Sequence, residues 1–152
     1  MSSTGLIEDI VTYFAAGSTL NAGATLFAGL LPESVSNPDV SNQVQAAVVP
    51  LIGLQPVRRF VPSTGGDPAF IRPSYRVITR AALGESGHDD PAAALAVSHR
   101  LHDLAESYPP NSTVAGGVYG VINAVNTFQP PFFEDRDDEG RSVFAFNINV
   151  WA

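Results

Sequence analysis

The chain ends on the stretch RSVFAFNINVWA, residues 141–152, in which two kinds of side chain alternate. Successive side chains of a β-strand point to opposite faces of a sheet, so this period of two predicts a strand. Its apolar face would present Phe144, Phe146, Ile148 and Val150, and its other face Ala145, Asn147, Asn149 and Trp151. Terminal segments fray unless they are tied down, so a strand this apolar is expected to be paired within a sheet.

An acidic turn precedes this strand. Residues 134–140 read EDRDDEG, and the glycine at position 140 suits a turn near the start of the returning strand. Residues 114–128 form a long strand candidate before the turn, so the two segments predict a long antiparallel hairpin. The acidic residues lack the staggered ligand spacing of an EF-hand, which favours a solvated hairpin tip over a calcium loop.

Three further strands are predicted upstream. Residues 24–32, ATLFAGLLP, are short, apolar and closed by proline, and they predict a buried strand. Residues 46–54, AAVVPLIGL, predict another; Pro50 cannot donate to a ladder, so it is expected on a sheet edge or at a bulge. In residues 70–82, FIRPSYRVITRAA, alternation assigns Tyr75, Val77, Thr79 and Ala81 to one face and Arg72, Ser74, Arg76, Ile78 and Arg80 to the other.

Two helices complete the set of predicted elements. The first is capped by Ser3 or Thr4 and ends near Gly17, and its apolar residues at helical spacing are Ile7, Ile10, Val11 and Phe14. The second begins with Asp90 as its N-cap and Pro91 at its first position, and it runs to about position 107. This order of elements predicts an α+β fold for a single domain of residues 1–152, with two helices packed on a mainly antiparallel sheet.

The composition narrows the function classes. The 152 residues include no cysteine, which excludes disulfides, thiolate metal sites and thiol nucleophiles. Fifteen acidic residues against eight arginines give a net charge of −7, which argues against tight non-specific binding to nucleic acid. No run of about 18 apolar residues occurs, so no membrane contact is expected. Neither a phosphate-binding glycine motif nor a serine-elbow motif nor a metal-ligand cluster occurs, so no cofactor and no metal is expected.

The best candidate for catalysis is the segment SHRLHD, which contains Ser98, His99, His102 and Asp103. His99 and Asp103 are four residues apart on one predicted helix, so the carboxylate could orient the imidazole. A solvated helix face of His, Arg and Asp is the favoured interpretation. His88 lies in a glycine-rich loop without a sequence-adjacent partner, which favours loop solvation over metal ligation.

The three arginines in residues 70–82 need partners. Their guanidinium groups cannot all be buried on one sheet face without carboxylates. That face is therefore either open to water or covered by acids of a neighbouring subunit. The terminal strand poses a similar choice, because Asn147, Asn149 and Trp151 form either an outer sheet surface or a contact with another subunit.

Several segments follow one another in an order that points to a known family. A short N-terminal helix precedes ATLFAGLLP, a strand that ends in YRVITRA and the helix DPAAALAVSHRLHDLAES. The segment QPPFFEDRDDEGR then joins prolines and aromatic residues to an acidic turn that ends in Gly-Arg, and an aromatic, alternating strand reaches Trp151. In this order the segments resemble the tail terminator family of long-tailed bacteriophages, whose members are often labelled minor capsid proteins. The resemblance is good over residues 75–152, and residues 55–68 form a longer loop than the family leads one to expect.

The resemblance implies a non-enzymatic protein with a tail-tube-like fold that forms a homohexameric ring. Such a ring caps the head-proximal end of the tail tube, stops polymerisation of the tube protein, and offers a surface to the head–tail connector (stopper) protein. Genomic DNA would slide through the lumen without specific binding, which a negative net charge favours. The implied location is the virion tail, and the host cytoplasm during assembly.

The ring gives specific residues an expected place. Subunit contacts are expected at Arg72, Arg76, Arg80, Asn147, Asn149 and Trp151, with Arg76 and Arg80 paired to acids of the adjacent chain. Charge reversal at Arg80 is expected to block assembly and leave the monomer folded. The acids of the turn are expected to face the lumen or the neighbouring subunit; they are Glu134, Asp135, Asp137, Asp138 and Glu139.

Three other functions stay open on the sequence alone. A head-side adaptor or stopper ring would bind portal complexes in place of tube ends. A small ligand-binding domain would form dimers through its last strand. A small enzyme would depend on His99 and Asp103, and it would lose its activity in His99→Ala with the fold intact.

Overall fold

The computed structural model describes residues 5–31, 43–51, 73–83 and 89–152. The predicted caps Ser3 and Thr4, together with Arg72, His88 and the loop at residues 55–68, lie outside this part of the chain. The elements are α1 (Leu6–Gly17), β1 (Leu26–Ala28), β2 (Gln45–Pro50), β3 (Ser74–Arg80), α2 (Pro91–Glu106), β4 (Ser112–Thr113), β5 (Val121–Ile122), β6 (Ala124–Thr127), β7 (Phe132–Arg136) and β8 (Ser142–Trp151).

In the described part of the chain, six strands form the main sheet, in the order β1-β2-β3-β8-β6, with β7 also paired to β8. The β1–β2 pair is parallel, and the other strand pairs described for this sheet are antiparallel. Strands β6 and β7 follow one another along the same side of β8, β6 on its C-terminal part and β7 on its N-terminal part. The terminal strand is therefore paired on both sides over most of its length, and the predicted α+β class is confirmed.

Both helices pack on one face of the sheet. Leu6, Ile10 and Phe14 of α1 join Leu101 and Leu104 of α2 in the main core cluster. The strand residues of this cluster include Val48, Tyr75, Val77, Phe146, Ile148 and Val150. The apolar faces predicted for β3 and β8 therefore face the helices, as the alternation of their sequences indicates.

Helix α2 begins where the sequence predicts. Asp90 is its N-cap and accepts a hydrogen bond from the Ala93 backbone N–H at 3.4 Å, and Pro91 is its first residue. Helix α1 begins differently, because its N-cap is Gly5, with φ of 85° and no side-chain cap. Its cap thus lies after the predicted Ser3 or Thr4.

The long strand predicted for residues 114–128 is wrong for its first half, while its second half contains β5 and β6, and β6 pairs antiparallel with β8 as predicted. Residues 114–120 form a turn in which Gly116 and Gly120 have φ of 77° and 122°, and only β5 and β6 follow it. Buried Asp9 of α1 accepts hydrogen bonds from the backbone N–H groups of Val118, at 2.7 Å, and Tyr119, at 2.9 Å. Because a carboxylate is a strong acceptor, these amides bond to α1 in place of a neighbouring strand. Strand β5 pairs with β4 in a separate two-stranded sheet.

Strands β1 and β2 also differ from the strands predicted at residues 24–32 and 46–54. Strand β1 has three residues, and Leu30 beyond it is 77% exposed. Strand β2 lies between β1 and β3, so it is not an edge strand, and its register against β3 shows no bulge at Pro50. Ala46 N donates to Thr25 O and Val48 O accepts from Gly29 N, so alternate residues of β2 direct their backbone groups toward β1. The backbone N of Pro50, two residues after Val48, faces the same side as β1. The β1–β2 pairing has already ended at Val48, so the missing N–H of Pro50 interrupts no hydrogen bond between these two strands.

Candidate functional site: the outer sheet face and the acidic hairpin

The face of the sheet opposite the helices presents a row of polar side chains, called here the outer face. It is formed by residues of β2, β3 and β8, and cross-strand register places Ser74 opposite Asn149 and Arg76 opposite Asn147. The Ser74 hydroxyl donates to Asn149 Oδ1, and Arg76 Nε donates to Asn147 Oδ1 at 3.0 Å. The side predicted to be polar for both strands therefore carries two hydrogen-bonded cross-strand pairs.

Arg76 also contacts the segment at residues 134–141, called here the acidic hairpin. Its Nη1 lies 2.6 Å from Glu134 Oε1, and its guanidinium lies 5.9 Å from the centre of the Phe132 ring. The register of β7 against β8 shifts between Phe133 and Asp135, so Glu134 is the extra residue of a bulge. This bulge releases the Glu134 side chain from the ladder, and the carboxylate reaches across β8 to β3.

Arg80 lies beneath the surface of the outer face. It is 7% exposed, and its Nη2 donates to Gln45 Oε1 on β2. Burial lowers the pKa of Arg80 from its ordinary value; the nearby Arg141 charge lowers it further, and Asp137 and Glu139 act in the opposite direction. These two acids therefore compensate part of the cost of placing two arginines close together.

Arg141 is the most deeply buried charge of the hairpin, with 1% exposure. Its Nε donates to Asp137 Oδ2 at 2.7 Å, and its Nη2 lies 3.8 Å from Glu139 Oε2. Asp137 Oδ1 accepts hydrogen bonds from the backbone N–H groups of Glu139, at 3.0 Å, and Arg141, at 2.8 Å. Gly140 completes the turn with φ of 82°. Asp137 thus stabilises the turn through its hydrogen bonds to the Arg141 side chain and to two backbone N–H groups.

Neither sequence-based alternative for the arginine face matches this arrangement. Arg76 and Arg80 are not simply open to water, and no neighbouring subunit is needed to supply their acids. Glu134, Asp137 and Glu139 come from the same chain. Pairing of the two arginines across a subunit interface stays a prediction, and Arg80 is too buried to present its guanidinium on the surface.

Asp135 and Asp138 differ from the other acids of the hairpin, which lie near arginines. Asp135 and Asp138 are exposed, and within the described part of the chain neither forms an ion pair with an arginine. Among the described residues, the Asp135 carboxylate accepts one hydrogen bond, from the backbone N–H of Arg136 at 2.7 Å. The tip of the hairpin therefore presents unneutralised negative charge to the surroundings.

The residues at the end of β8 are half-buried or buried. Trp151 is half-buried opposite Ala124 of β6, and its carbonyl accepts a hydrogen bond from Asn123 N at 2.6 Å. Asn149 lies opposite Asn126 and is 9% exposed. Beside this strand, Phe128 and Phe133 are 62% and 54% exposed. The edge formed by β6 and β7 thus offers large apolar side chains next to the acidic hairpin.

The catalytic candidates on α2 do not come together. His99 and Asp103 are both exposed, and no hydrogen bond or ion pair joins them among the described residues. Ser98 is buried, while His102 is buried against Phe146 with its Nε2 3.6 Å from Glu106 Oε1. The favoured interpretation, a solvated helix face of His, Arg and Asp, fits the exposed His99 and Asp103 and does not fit the buried His102.

Sequence reasoning missed two polar residues that position other groups, one on the outer face and one at the turn of residues 114–120. Gln45 binds Arg80, and Asp9 fixes the turn at residues 114–120. Asp9 had a detectable signal, because it lies three residues after Leu6 and therefore on the buried side of α1. Gln45 had none, since its partner lies on a strand that is paired only in the folded sheet.

Within the described ranges, neither helix is long and apolar enough to cross a membrane. No protein-family model matches the sequence, and no curated protein matches it either.

Proposed function

We propose that this chain is a structural protein of a bacteriophage tail that assembles as a homohexameric ring and caps the head-proximal end of the tail tube. The ring stops polymerisation of the tube protein and provides the surface that the head–tail connector protein binds. Two observations support this proposal. One is the order of segments, which resembles the tail terminator family; the other is a pre-organised polar surface on the side of the sheet opposite the helices.

The second observation is the main structural argument. Arg76 is oriented by Asn147, Glu134 and the Phe132 ring, so its side chain is ordered before any partner binds. Association costs less when interface side chains are already fixed, because less rotamer entropy is lost. Exposed aromatic side chains such as Phe128 and Phe133 are enriched at protein interfaces. Together these features favour an assembly surface formed by the part of the outer face around Arg76 and by the β6–β7 edge.

The acidic hairpin has a place in this assembly. Asp135 and Asp138, the exposed acids for which the described residues provide no ion pair, face either the lumen or the neighbouring subunit. In the lumen they repel the phosphates of passing DNA and keep the genome from adhering to the ring. At a subunit boundary they pair with a cation of the next chain, for which the exposed Arg136 is suited.

Electron microscopy of phage particles tests the proposal. The gene for this chain is disrupted in a phage that encodes it, and the control is the same mutant supplied with the intact gene in trans. Overlong or ragged tails beside DNA-filled heads without tails are the expected result. Tails of normal length with unjoined heads would assign the chain to the head side, as an adaptor. Normal, infectious virions would refute both roles.

A further inference from the structure

The last turns of α2 bring three possible metal ligands together, away from the outer face. His102, Asp103 and Glu106 each offer one ligand atom, and these atoms lie within 4.8 Å of one another. No metal-ligand cluster is recognisable in the sequence, which therefore predicts no metal here. Helical geometry nevertheless places positions 102 and 106 on the same face, one turn apart.

His102 gives an independent sign of a ligand. Its residue is 8% exposed, and its ring packs edge-on against Phe146 with 5.2 Å between ring centres. Its Nε2 is buried and makes no hydrogen bond to any residue the structure describes. The atom near it, Glu106 Oε1 at 3.6 Å, is beyond hydrogen-bond distance. A buried polar atom without a hydrogen bond costs free energy, and such an atom in a folded protein calls for an explanation such as a bound water or ion.

The distance between the first two ligands fits a transition metal. His102 Nε2 and Glu106 Oε1 are 3.6 Å apart. Two ligands at about 2.1 Å from a tetrahedral zinc ion are separated by about 3.4 Å, so both atoms reach one ion after a shift of a few tenths of an ångström. Glu106 is more exposed than His102 and can make this adjustment. Asp103 is exposed and supplies a third oxygen, which leaves a fourth position for water.

The surroundings of Glu106 resemble an outer shell of a metal site. Thr127 Oγ1 of β6 donates to Glu106 Oε1 at 3.1 Å and restrains the carboxylate. Hydrogen bonds of this kind orient ligating carboxylates and are part of what determines metal affinity. The same contact joins α2 to β6, while the His102 ring joins α2 to β8.

We propose that His102, Asp103 and Glu106 bind one divalent first-row transition ion, with Zn²⁺ as the best fit. An imidazole nitrogen among the ligands favours such ions over Mg²⁺ and Ca²⁺, which prefer oxygen ligands alone. The bound ion ties the C-terminal end of α2 to the strands beneath it. The proposal does not depend on the ring or on the phage role.

The test uses the full chain without a histidine tag, after treatment with a chelator. Calorimetric titration with Zn²⁺ is expected to show one ion per chain, and Mg²⁺ at the same concentration is expected to give no heat of binding. Co²⁺ is expected to give the visible absorption of a tetrahedral site. Since loss of an outer-shell partner alone typically costs about 10- to 100-fold in metal affinity, loss of a ligand should cost at least as much.

Variants of the exposed ligands keep the test independent of folding. Glu106→Gln and Asp103→Asn are expected to weaken Zn²⁺ binding by about tenfold or more with unchanged circular dichroism, and Thr127→Val to weaken it less. The matched control is Asp138→Asn on the acidic hairpin, which should bind Zn²⁺ as the wild type does. Nitrogen NMR should show a Zn²⁺-induced shift at His102 Nε2. No binding, unchanged binding in Glu106→Gln, or an equal loss in Asp138→Asn would each overturn the proposal.

Discussion

Asp137 is expected to be the acid on which the stability of the acidic hairpin depends most. In Asp137→Ala, Arg141 loses the oxygen that its Nε contacts at 2.7 Å and stays 1% exposed, and two backbone N–H groups lose their acceptor. Removal of one partner of a buried ion pair costs about 3 to 5 kcal/mol. Glu139 still lies 3.8 Å from Arg141, which places the expected loss at the lower end, about 3 kcal/mol.

A loss of this size is easy to measure. For a chain of 152 residues it corresponds to a decrease in Tm of about 6 to 12 °C. Urea unfolding can be followed by the fluorescence of Trp151, which is the single tryptophan of the sequence and lies on β8. Asp137→Asn keeps an acceptor for the backbone N–H groups and loses the charge, so its stability should fall between those of the wild type and Asp137→Ala.

The neighbouring Asp138 provides the matched control. It is exposed and accepts no hydrogen bond among the described residues, so Asp138→Ala should change the free energy of unfolding by no more than about 0.5 kcal/mol. If Asp137→Ala unfolds at the urea concentration of the wild type, the buried pair does not stabilise the hairpin. Equal losses in the two variants would likewise contradict the reasoning, since they would reflect acidic charge in general.

Two further predictions follow from buried polar groups. Asp9→Ala should lower the free energy of unfolding by about 2 to 3 kcal/mol because two amides lose a charged acceptor. Amide hydrogen exchange should accelerate at Val118 and Tyr119 and not along β8. Uniform acceleration across the chain would contradict a local role of Asp9. Burial raises the pKa of Tyr75 to about 12, with Glu8 and Tyr119 adding to the shift. As pH rises, the unfolded chain therefore loses the Tyr75 proton before the folded chain does. The stability that is present below pH about 10 should be lost as pH rises toward 12. The free energy of unfolding should fall less steeply over this range in Tyr75→Phe. A pH slope unchanged by that substitution would exclude Tyr75 as its source.

The structure also changes the choice of assembly variant. Charge reversal at Arg80 is expected from the sequence to block assembly with the monomer intact. Because Arg80 is 7% exposed and bonded to Gln45, an acid at this position would be buried beside Gln45 and would destabilise the fold itself. Arg76→Glu is the better variant, since about a third of the Arg76 side chain is exposed and an exposed ion pair contributes at most about 1 kcal/mol.

Much of the fold could be predicted from local patterns. The period-two alternation of residues 142–151 and of β3 assigned the right side chains to each face, and Asp90 with Pro91 marked the start of α2. These signals suffice because each depends on neighbours in sequence. The strand predicted at residues 114–128 failed in its first half, where the amides of Val118 and Tyr119 bond to Asp9, more than 100 positions away in sequence.

The candidate site was predictable only in outline. Alternation placed Arg76, Arg80, Asn147 and Asn149 on one face, and the acids of the turn were visible as a group. The partners of the arginines were not visible, since Glu134 reaches Arg76 only through a bulge and Arg141 approaches Arg80 only after β3 and β8 pair. Long-range pairing of this kind depends on sheet register, which a single sequence specifies weakly.

Capping of tail tubes by the purified chain tests the central claim most directly. The tube protein of the same phage is polymerised with and without the chain, and the tubes are imaged by negative-stain electron microscopy. The account predicts shorter tubes with a ring of added density at one end, which no longer elongate when more tube protein is supplied. Arg76→Glu should leave the chain folded and the tubes uncapped. Tubes that elongate equally with and without the wild-type chain, and show no density at their ends, would contradict a role in tail termination.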